Sequence, residues 1–178
     1  MDFSRHTISL KGRTDIRDIL ESLSRQGLVA VNIAASLEEN SRFLSQENLD
    51  AILTASPESL FVEALSLLEF MRLIRRDVGD VIELSLELRA RLRTEYVNNL
   101  GAEIQSFLGR IEKTRLMIGC YVLQNENSAA AENSEKLQRS LVLLSESSFA
   151  HDDNVRCMDD LQYHILPILK LLQKIFRK

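Results

Sequence analysis

The stretch from Ser56 to Arg76 is the feature that most constrains how this chain can fold. Ser56 can accept an early backbone N–H of a helix, and Pro57 suits the first helical position because it has no N–H to lose. The residues that follow are apolar around most of a helical circumference. Their polar interruptions are Glu63, Ser66, Glu69 and Arg72. We therefore predict a helix over 56–76 that is central to the fold or buried in an interface, since three charges argue against a membrane span.

The composition favours helices around this centre. The chain has 178 residues, 45% hydrophobic and 27% charged, with only two prolines and six glycines. This is the length of one domain, and helix-favouring residues are abundant. We therefore predict an all-α, single-domain bundle of about five to seven helices over 1–178. The net charge of −4 argues against a general nucleic-acid binder, because phosphate contacts supply most non-specific affinity.

The two cysteines and the N-terminal leader indicate the cellular compartment. Cys120 and Cys157 are too few for a disulfide scaffold, so we predict two buried free thiols, with a single bridge as the alternative. The leader, residues 1–13, has no uninterrupted apolar segment, so we predict no signal peptide and a cytoplasmic protein. Within the leader, 6–10 alternates weakly and fits a short strand or coil.

Periodicity predicts two short helices and an ambiguous segment before the central helix. Ile16, Ile19 and Leu23 repeat at helical spacing, and Gly27 stands where a helix commonly ends. Residues 28–44 fit either a buried strand or a helix. We favour the helix, because a strand would have only the leader as a partner. Ser45 is positioned to cap the next short helix, with Leu49, Ile52 and Leu53 facing inward.

The segment from Val81 to Val122 is the longest periodic pattern in the chain. It fits one very long helix or two collinear helices broken near Gly101, forming a hairpin or spine. Residues 125–133 are the clearest loop signal. The apolar positions of the helix that follows are Leu137, Leu141, Leu144 and Phe149.

The C-terminal helix has a heptad-like seam, and Pro167 should disturb it just before that residue. The seam consists of Val155, Met158, Gln162, Ile165, Leu169, Leu172 and Phe176. All charges within 161–178 are positive. We predict a partner or membrane surface here, made of Leu161, Ile165, Ile168, Leu172, Ile175, Phe176, Lys170, Lys174, Arg177 and Lys178. The alternative is a closing helix of the bundle, with basic residues near its C-terminus because the helix dipole favours them there.

Two patterns resemble functional sites but lack the residues that such sites require. Cys157, Asp160 and His164 have helical spacing and, with His151 nearby, suggest a metal or nucleophile site, but no second set of ligands accompanies them. Residues 19–37 have part of the spacing of a helix-turn-helix, yet the second helix offers few groups that bind phosphates or base edges. We therefore predict no catalytic, cofactor-binding or metal-binding residues.

The surplus of apolar helical surface, together with the lack of a chemical motif, favours an interaction protein. We predict a non-enzymatic interaction or regulatory adaptor that acts through helical surfaces and forms a homodimer. A peripheral membrane protein that binds an anionic surface through 161–178 is the main alternative. A small helical enzyme or a helix-turn-helix regulator is a further one.

Overall fold

The structure, a computed structural model, describes residues 4–9, 16–34, 43–55, 59–150 and 153–177. The chain divides into two compact units. Unit 1 contains Met1–Arg72 and Leu116–Asn127, and unit 2 contains Leu73–Arg115 and Ser128–Lys178. Two long helices therefore contribute residues to both units. The prediction that 1–178 is a single domain is not tested by this division and stays a prediction.

The protein is predominantly helical, as predicted. The α-helices of the described residues are α1 (Ile16–Arg25), α2 (Gln46–Ala55), α3 (Leu67–Arg91), α4 (Gly101–Gln124), α5 (Ser128–Ser145), α6 (Asn154–Asp159) and α7 (Leu166–Ile175). A 3₁₀ turn covers Val97–Leu100, and π-helical turns cover Glu146–Ala150 and Asp160–Ile165. The prediction of five to seven helices is confirmed.

Unit 1 contains a small antiparallel sheet that the predicted bundle lacked. Its strands are β1 (Ser4–Ser9), β2 (Leu28–Ala34) and β3 (Ser59–Ser66), in the order β1-β3-β2. The prediction of one helix over 56–76 is therefore wrong for its first part. β3 is hydrogen-bonded on both sides, and this pairing outweighs the local helical pattern. The predicted cap at Ser56 and Pro57 lies outside the described residues.

The helical part of the stretch begins at Leu67, one residue after a start signal that the sequence contains. The Ser66 hydroxyl accepts the Glu69 backbone N–H at 3.2 Å and donates to the Glu69 carboxylate at 2.6 Å. Ser66-x-x-Glu69 has the spacing of a capping box, which satisfies free backbone donors of a first turn. The actual start signal thus lies ten residues after the predicted one.

The preference for helix over 28–44 is also wrong where the structure describes it, because 28–34 forms β2. The objection to a strand was the lack of a partner, and both the leader and the Ser56 stretch supply strands. The register of β2 against β3 shifts between Ala30 and Asn32, a β-bulge at Val31. The Val31 carbonyl accepts the Leu44 backbone N–H at 2.9 Å.

The two short helices of unit 1 match their predictions. Ile16, Ile19 and Leu23 are buried on α1, and Gly27 follows with a φ of 70°, a left-handed conformation that glycine adopts without strain. The Ser45 hydroxyl accepts the Asn48 N–H at the start of α2, at 3.2 Å. Leu49 and Ile52 of α2 are buried, as predicted, and the Leu53 side chain lies outside the part that the structure describes.

In unit 2, the long periodic segment is two helices rather than one, and they run antiparallel rather than collinear. Arg91 near the end of α3 contacts Glu103 near the start of α4, while Asp77 contacts Thr114. The break lies at 92–100, so α4 begins at the predicted Gly101. Asn154 holds this connection: its side chain donates to the Leu92 and Glu95 carbonyls at 2.7 and 2.6 Å and accepts the Val97 N–H at 2.8 Å.

In the rest of unit 2, α5 packs against the C-terminal helical segments. Asp153 caps α6 by accepting the Arg156 N–H at 3.0 Å. The buried C-terminal residues recur at intervals of mostly four, which the π turn at 160–165 accommodates. They are Cys157, Leu161, Ile165, Leu169, Leu172 and Phe176, and Asp160 and Leu166 beside them are buried as well. The predicted seam is therefore wrong at its start, where Val155 is exposed. The departure from α geometry lies just before Pro167, as expected.

Candidate functional site

The predicted C-terminal surface divides into a buried and an exposed part. Leu161, Ile165, Leu172 and Phe176 are at most 2% exposed, so they belong to the core of unit 2. Ile168 and Ile175 are half-buried, and Lys178 lies outside the described residues. The apolar face proposed for docking is thus already covered, whereas Lys170, Lys174 and Arg177 are exposed.

The exposed side of α7 combines positive charge with an apolar residue. Lys170, Lys174 and Arg177 lie at intervals of four and three, and Leu171 between them is 48% exposed. We call Lys170, Leu171, Lys174 and Arg177 the cationic face. The segment 161–178 contains four of the 22 Lys and Arg residues of the chain and none of its 26 Asp and Glu residues. An anionic partner would therefore meet no repulsive charge from this segment.

An acidic counterpart of the cationic face lies on α3. Glu83 and Glu87 are exposed, Leu84 between them is 39% exposed, and the Asp80 side chain is 48% exposed. Residues 80, 83, 84 and 87 share one side of a helix. We call Asp80, Glu83, Leu84 and Glu87 the acidic face. Within the described chain, Glu83 and Glu87 form no ion pair within 4.0 Å.

A cleft of about 160 Å³ opens beside the acidic face, between α3 and α4. Leu84, Leu88 and Phe107 supply its apolar lining, and its polar rim consists of Glu87, Arg91, Glu103 and Ser106. The cleft can thus take an apolar side chain that is flanked by positive charge. The sequence of α3 shows apolar residues interspersed with charges, but the contact of α3 with Phe107 of α4 cannot be predicted without the fold.

Arg91 organises the charges at the rim of this cleft. It donates two 2.9 Å hydrogen bonds to the Glu95 carboxylate and a third, also 2.9 Å, to Glu103. These bonds lower the pKa of both carboxyl groups below the ordinary value and raise that of the guanidinium. Both carboxylates therefore stay ionised at neutral pH, and the rim keeps its negative charge.

A second ion cluster on the same helix pair is centred on one buried carboxylate, that of Asp77. Asp77 is 5% exposed, accepts a hydrogen bond from the Thr114 hydroxyl, and lies 3.1 Å from Arg110. The same Arg110 nitrogen lies 3.1 Å from Asp80, while the Arg110 Nε has no hydrogen-bond partner. The arrangement joins α3 to α4 through side chains.

The predicted chemical group at Cys157, Asp160 and His164 is not assembled as a site. Cys157 and Asp160 are buried, whereas His164 is exposed. The π turn at 160–165 changes the helical register, so the expected common face does not continue to His164. His151 lies outside the described residues.

Asp160 instead joins the two π turns. The Ser147 hydroxyl in the first π turn donates to the Asp160 carboxylate at 2.6 Å, and both residues are buried. The Asp160 backbone N–H bonds the Arg156 and Cys157 carbonyls. These contacts describe a structural link between consecutive helical segments.

In unit 1, the main polar contact between distant segments involves Gln124 at the end of α4. Its side-chain amide accepts the Ala30 N–H at 2.8 Å and donates to the Ala30 carbonyl at 2.7 Å. Cys120 donates to the same carbonyl, with a sulfur–oxygen distance of 3.3 Å. Burial raises the pKa of the Cys120 thiol to about 12. Both cysteines are buried thiols outside any disulfide, as predicted. The sequence contains no signal that predicts the role of Gln124.

The helix-turn-helix alternative is contradicted, because 28–34, the first part of its second helix, is strand β2. The rest of that segment, 35–42, lies outside the described residues. No helix in the described ranges is long and apolar enough to cross a membrane. Among those same residues, no three His, Cys, Asp or Glu side chains are grouped so as to hold a metal ion.

Comparison with protein-family models, curated proteins and solved structures gives no match, so functional argument for this chain rests on its own residues and geometry.

Proposed function

We propose that this protein is a non-enzymatic interaction or regulatory protein of the cytoplasm that acts through helical surfaces of unit 2 and associates with copies of itself. The observation that supports the proposal is the distribution of exposed apolar side chains. Of the nine large ones exposed among the described residues, eight belong to unit 2. They are Leu84, Leu86, Tyr96, Val142, Leu143, Val155, Tyr163 and Leu171.

A single exposed apolar residue is ordinary, but apolar residues flanked by exposed charges of one sign suit contact with a protein partner. Two faces of unit 2 have this composition. Leu84 lies among carboxylates on α3, and Leu171 lies among ammonium and guanidinium groups on α7. Apolar contacts would supply affinity there, while the charges would select the partner and the orientation.

Sedimentation velocity over a hundredfold range of protein concentration tests this function. We expect a reversible shift from monomer to a larger species as concentration rises. A strictly monomeric protein throughout that range would contradict self-association. The matched comparison is a Leu84→Gln/Leu171→Gln variant, which should associate more weakly while its circular dichroism spectrum stays that of the wild type.

A peripheral membrane protein is the second candidate, and the cationic face favours it. Each basic residue near an anionic bilayer contributes roughly 1 kcal/mol, and Tyr163 and Leu171 are exposed on the same C-terminal segment. Vesicles containing phosphatidylserine should then float the full chain, and a Lys170→Glu/Lys174→Glu variant should remain unbound. Equal flotation of both proteins would reject this candidate.

A further inference from the structure

We infer that the cationic face of one copy docks antiparallel on the acidic face of a second copy, with Leu171 packed against Leu84 at the cleft. The inference rests on the proposed self-association and names the two surfaces that would carry it. It follows from the order, spacing and exposure of charges on α3 and α7.

The two faces have matching spacing when one helix is reversed. The cations Lys170, Lys174 and Arg177 are separated by four and then three residues. Counted backwards along α3, the carboxylates Glu87, Glu83 and Asp80 are separated by the same intervals. An antiparallel pair therefore brings Lys170 to Glu87, Lys174 to Glu83 and Arg177 to Asp80.

The order of the intervals favours the antiparallel direction, because a parallel pair with Lys170 at Asp80 and Arg177 at Glu87 would place Lys174 at Leu84. In a parallel pair with Lys170 at Glu83, Lys174 would meet Glu87, but Arg177 would approach Arg91 and repel it. The antiparallel pair places Arg177 at Asp80 instead. It also leaves Arg91 to its own partners Glu95 and Glu103, which it contacts at 2.9 Å.

The apolar residues complete the match. Leu171 follows Lys170 and Leu84 follows Glu83, and both leucines are more than a third exposed. In the antiparallel pair they lie between the charge pairs, so Leu171 approaches the cleft formed by Leu84, Leu88 and Phe107. Burial of apolar area supplies the favourable free energy, and the flanking ion pairs fix the register.

A charge-exchange experiment tests the inference on the full chain. One variant carries Lys170→Glu and Lys174→Glu, and the other carries Glu83→Lys and Glu87→Lys. Each alone should weaken self-association by roughly tenfold or more, because two attractive contacts become repulsive. An equimolar mixture of the two variants should restore wild-type association, since each altered face then meets its complement.

The matched control applies the same charge change elsewhere in unit 2. Lys113→Glu with Arg156→Glu alters two exposed cations outside both faces and should leave association unchanged. The Glu83 and Lys170 substitutions change exposed side chains without ion pairs, so circular dichroism and the melting temperature should stay near those of the wild type. Added salt should weaken the wild-type association.

The outcomes separate the inference from the proposed function. If the wild type associates and both charge variants associate equally well, the inference is overturned and the proposed function stands. If both variants weaken association but their mixture does not restore it, the pairing of these two faces is overturned. A monomeric wild type rejects both ideas. If that monomer binds phosphatidylserine vesicles and only the Lys170→Glu/Lys174→Glu variant loses this binding, the cationic face is assigned to a membrane.

Discussion

The two units join their distant segments with different polar chemistry. In unit 1, the neutral amide of Gln124 bonds both the N–H and the carbonyl of Ala30 on edge strand β2. In unit 2, the charged side chains of Asp77 and Arg110 join α3 to α4. A strand edge presents one donor and one acceptor, which a single amide can match. Helices satisfy their own backbone groups, so a polar link between them must run from side chain to side chain.

The difference has energetic consequences. An amide has no charge to titrate, so the Gln124 contact should be insensitive to salt. A buried carboxylate stays favourable only while its partners remain, because an unpaired charge in the interior is costly. The Asp77 link should therefore be the more sensitive of the two to substitution.

Asp77→Ala should produce the largest loss of stability, about 2–3 kcal/mol in the free energy of unfolding. The substitution removes one acceptor of the Thr114 hydroxyl and the buried partner of Arg110. Urea denaturation measures the change. Asp80→Ala is the control, since that more exposed carboxylate contacts the same Arg110 nitrogen and should cost less than about 1 kcal/mol. Equal losses for the two variants would contradict the role of burial.

Gln124→Ala should cost less, about 1–2 kcal/mol, because two neutral hydrogen bonds are lost at a position that is only half-buried. The same urea measurement applies. Gln105→Ala, at an exposed position of α4, should leave stability unchanged. A loss for Gln124→Ala as large as that for Asp77→Ala would remove the contrast between the two links.

Cys120 adds a pH dependence to the unit 1 link at the alkaline end. Its pKa is raised from 9.0 to about 12, so the unfolded chain loses this proton first as pH rises. The contribution to stability is complete below pH 9.0 and is lost progressively as the pH approaches about 12. By pH 10 the loss should be about 1 kcal/mol. Urea midpoints of the wild type and Cys120→Ala should diverge above pH 9, whereas parallel curves would reject the assignment.

The smallest effect should come from the exposed ion cluster around Arg91, at the acid end. The pKa values of Glu95 and Glu103 are lowered chiefly by hydrogen bonds from Arg91. Their contribution is present above the ordinary carboxyl pKa of 4.5 and is lost as pH falls through the lowered folded-state values. Arg91→Gln should flatten this acid-side decline, and salt should reduce it in the wild type. An unchanged acid profile would show that the cluster contributes nothing measurable.

The helix-favouring composition and the local start and stop signals were sufficient to predict where α1, α2 and α4 begin or end. Ile16, Ile19 and Leu23, followed by Gly27, define α1 within ten residues of chain. Ser45 likewise caps α2. These features depend on contacts a few residues apart, so the order of residues predicts them.

The wrong prediction of a helix over the first part of 56–76 shows what a local sequence pattern cannot determine. A continuous apolar run fits a buried helix and a central strand equally well. The choice depended on β1 and β2, which lie about 50 and 30 residues earlier in the chain and pair with both sides of β3. The Ser66-x-x-Glu69 box marked the true helix start, yet nothing local required the residues before it to form a strand.

For the candidate surface, too, some properties follow from the sequence and others only from the fold. The sequence alone determined that 161–178 is an amphipathic helical segment with only positive charges, because composition and period are properties of the order of residues. The tertiary structure decided which side of it is available. α5 and the core of unit 2 cover Leu161, Leu172 and Phe176, while Lys170, Leu171 and Lys174 face solvent. Burial depends on contacts between segments distant in the chain, which is why the acidic face and the cleft beside Phe107 also required the fold.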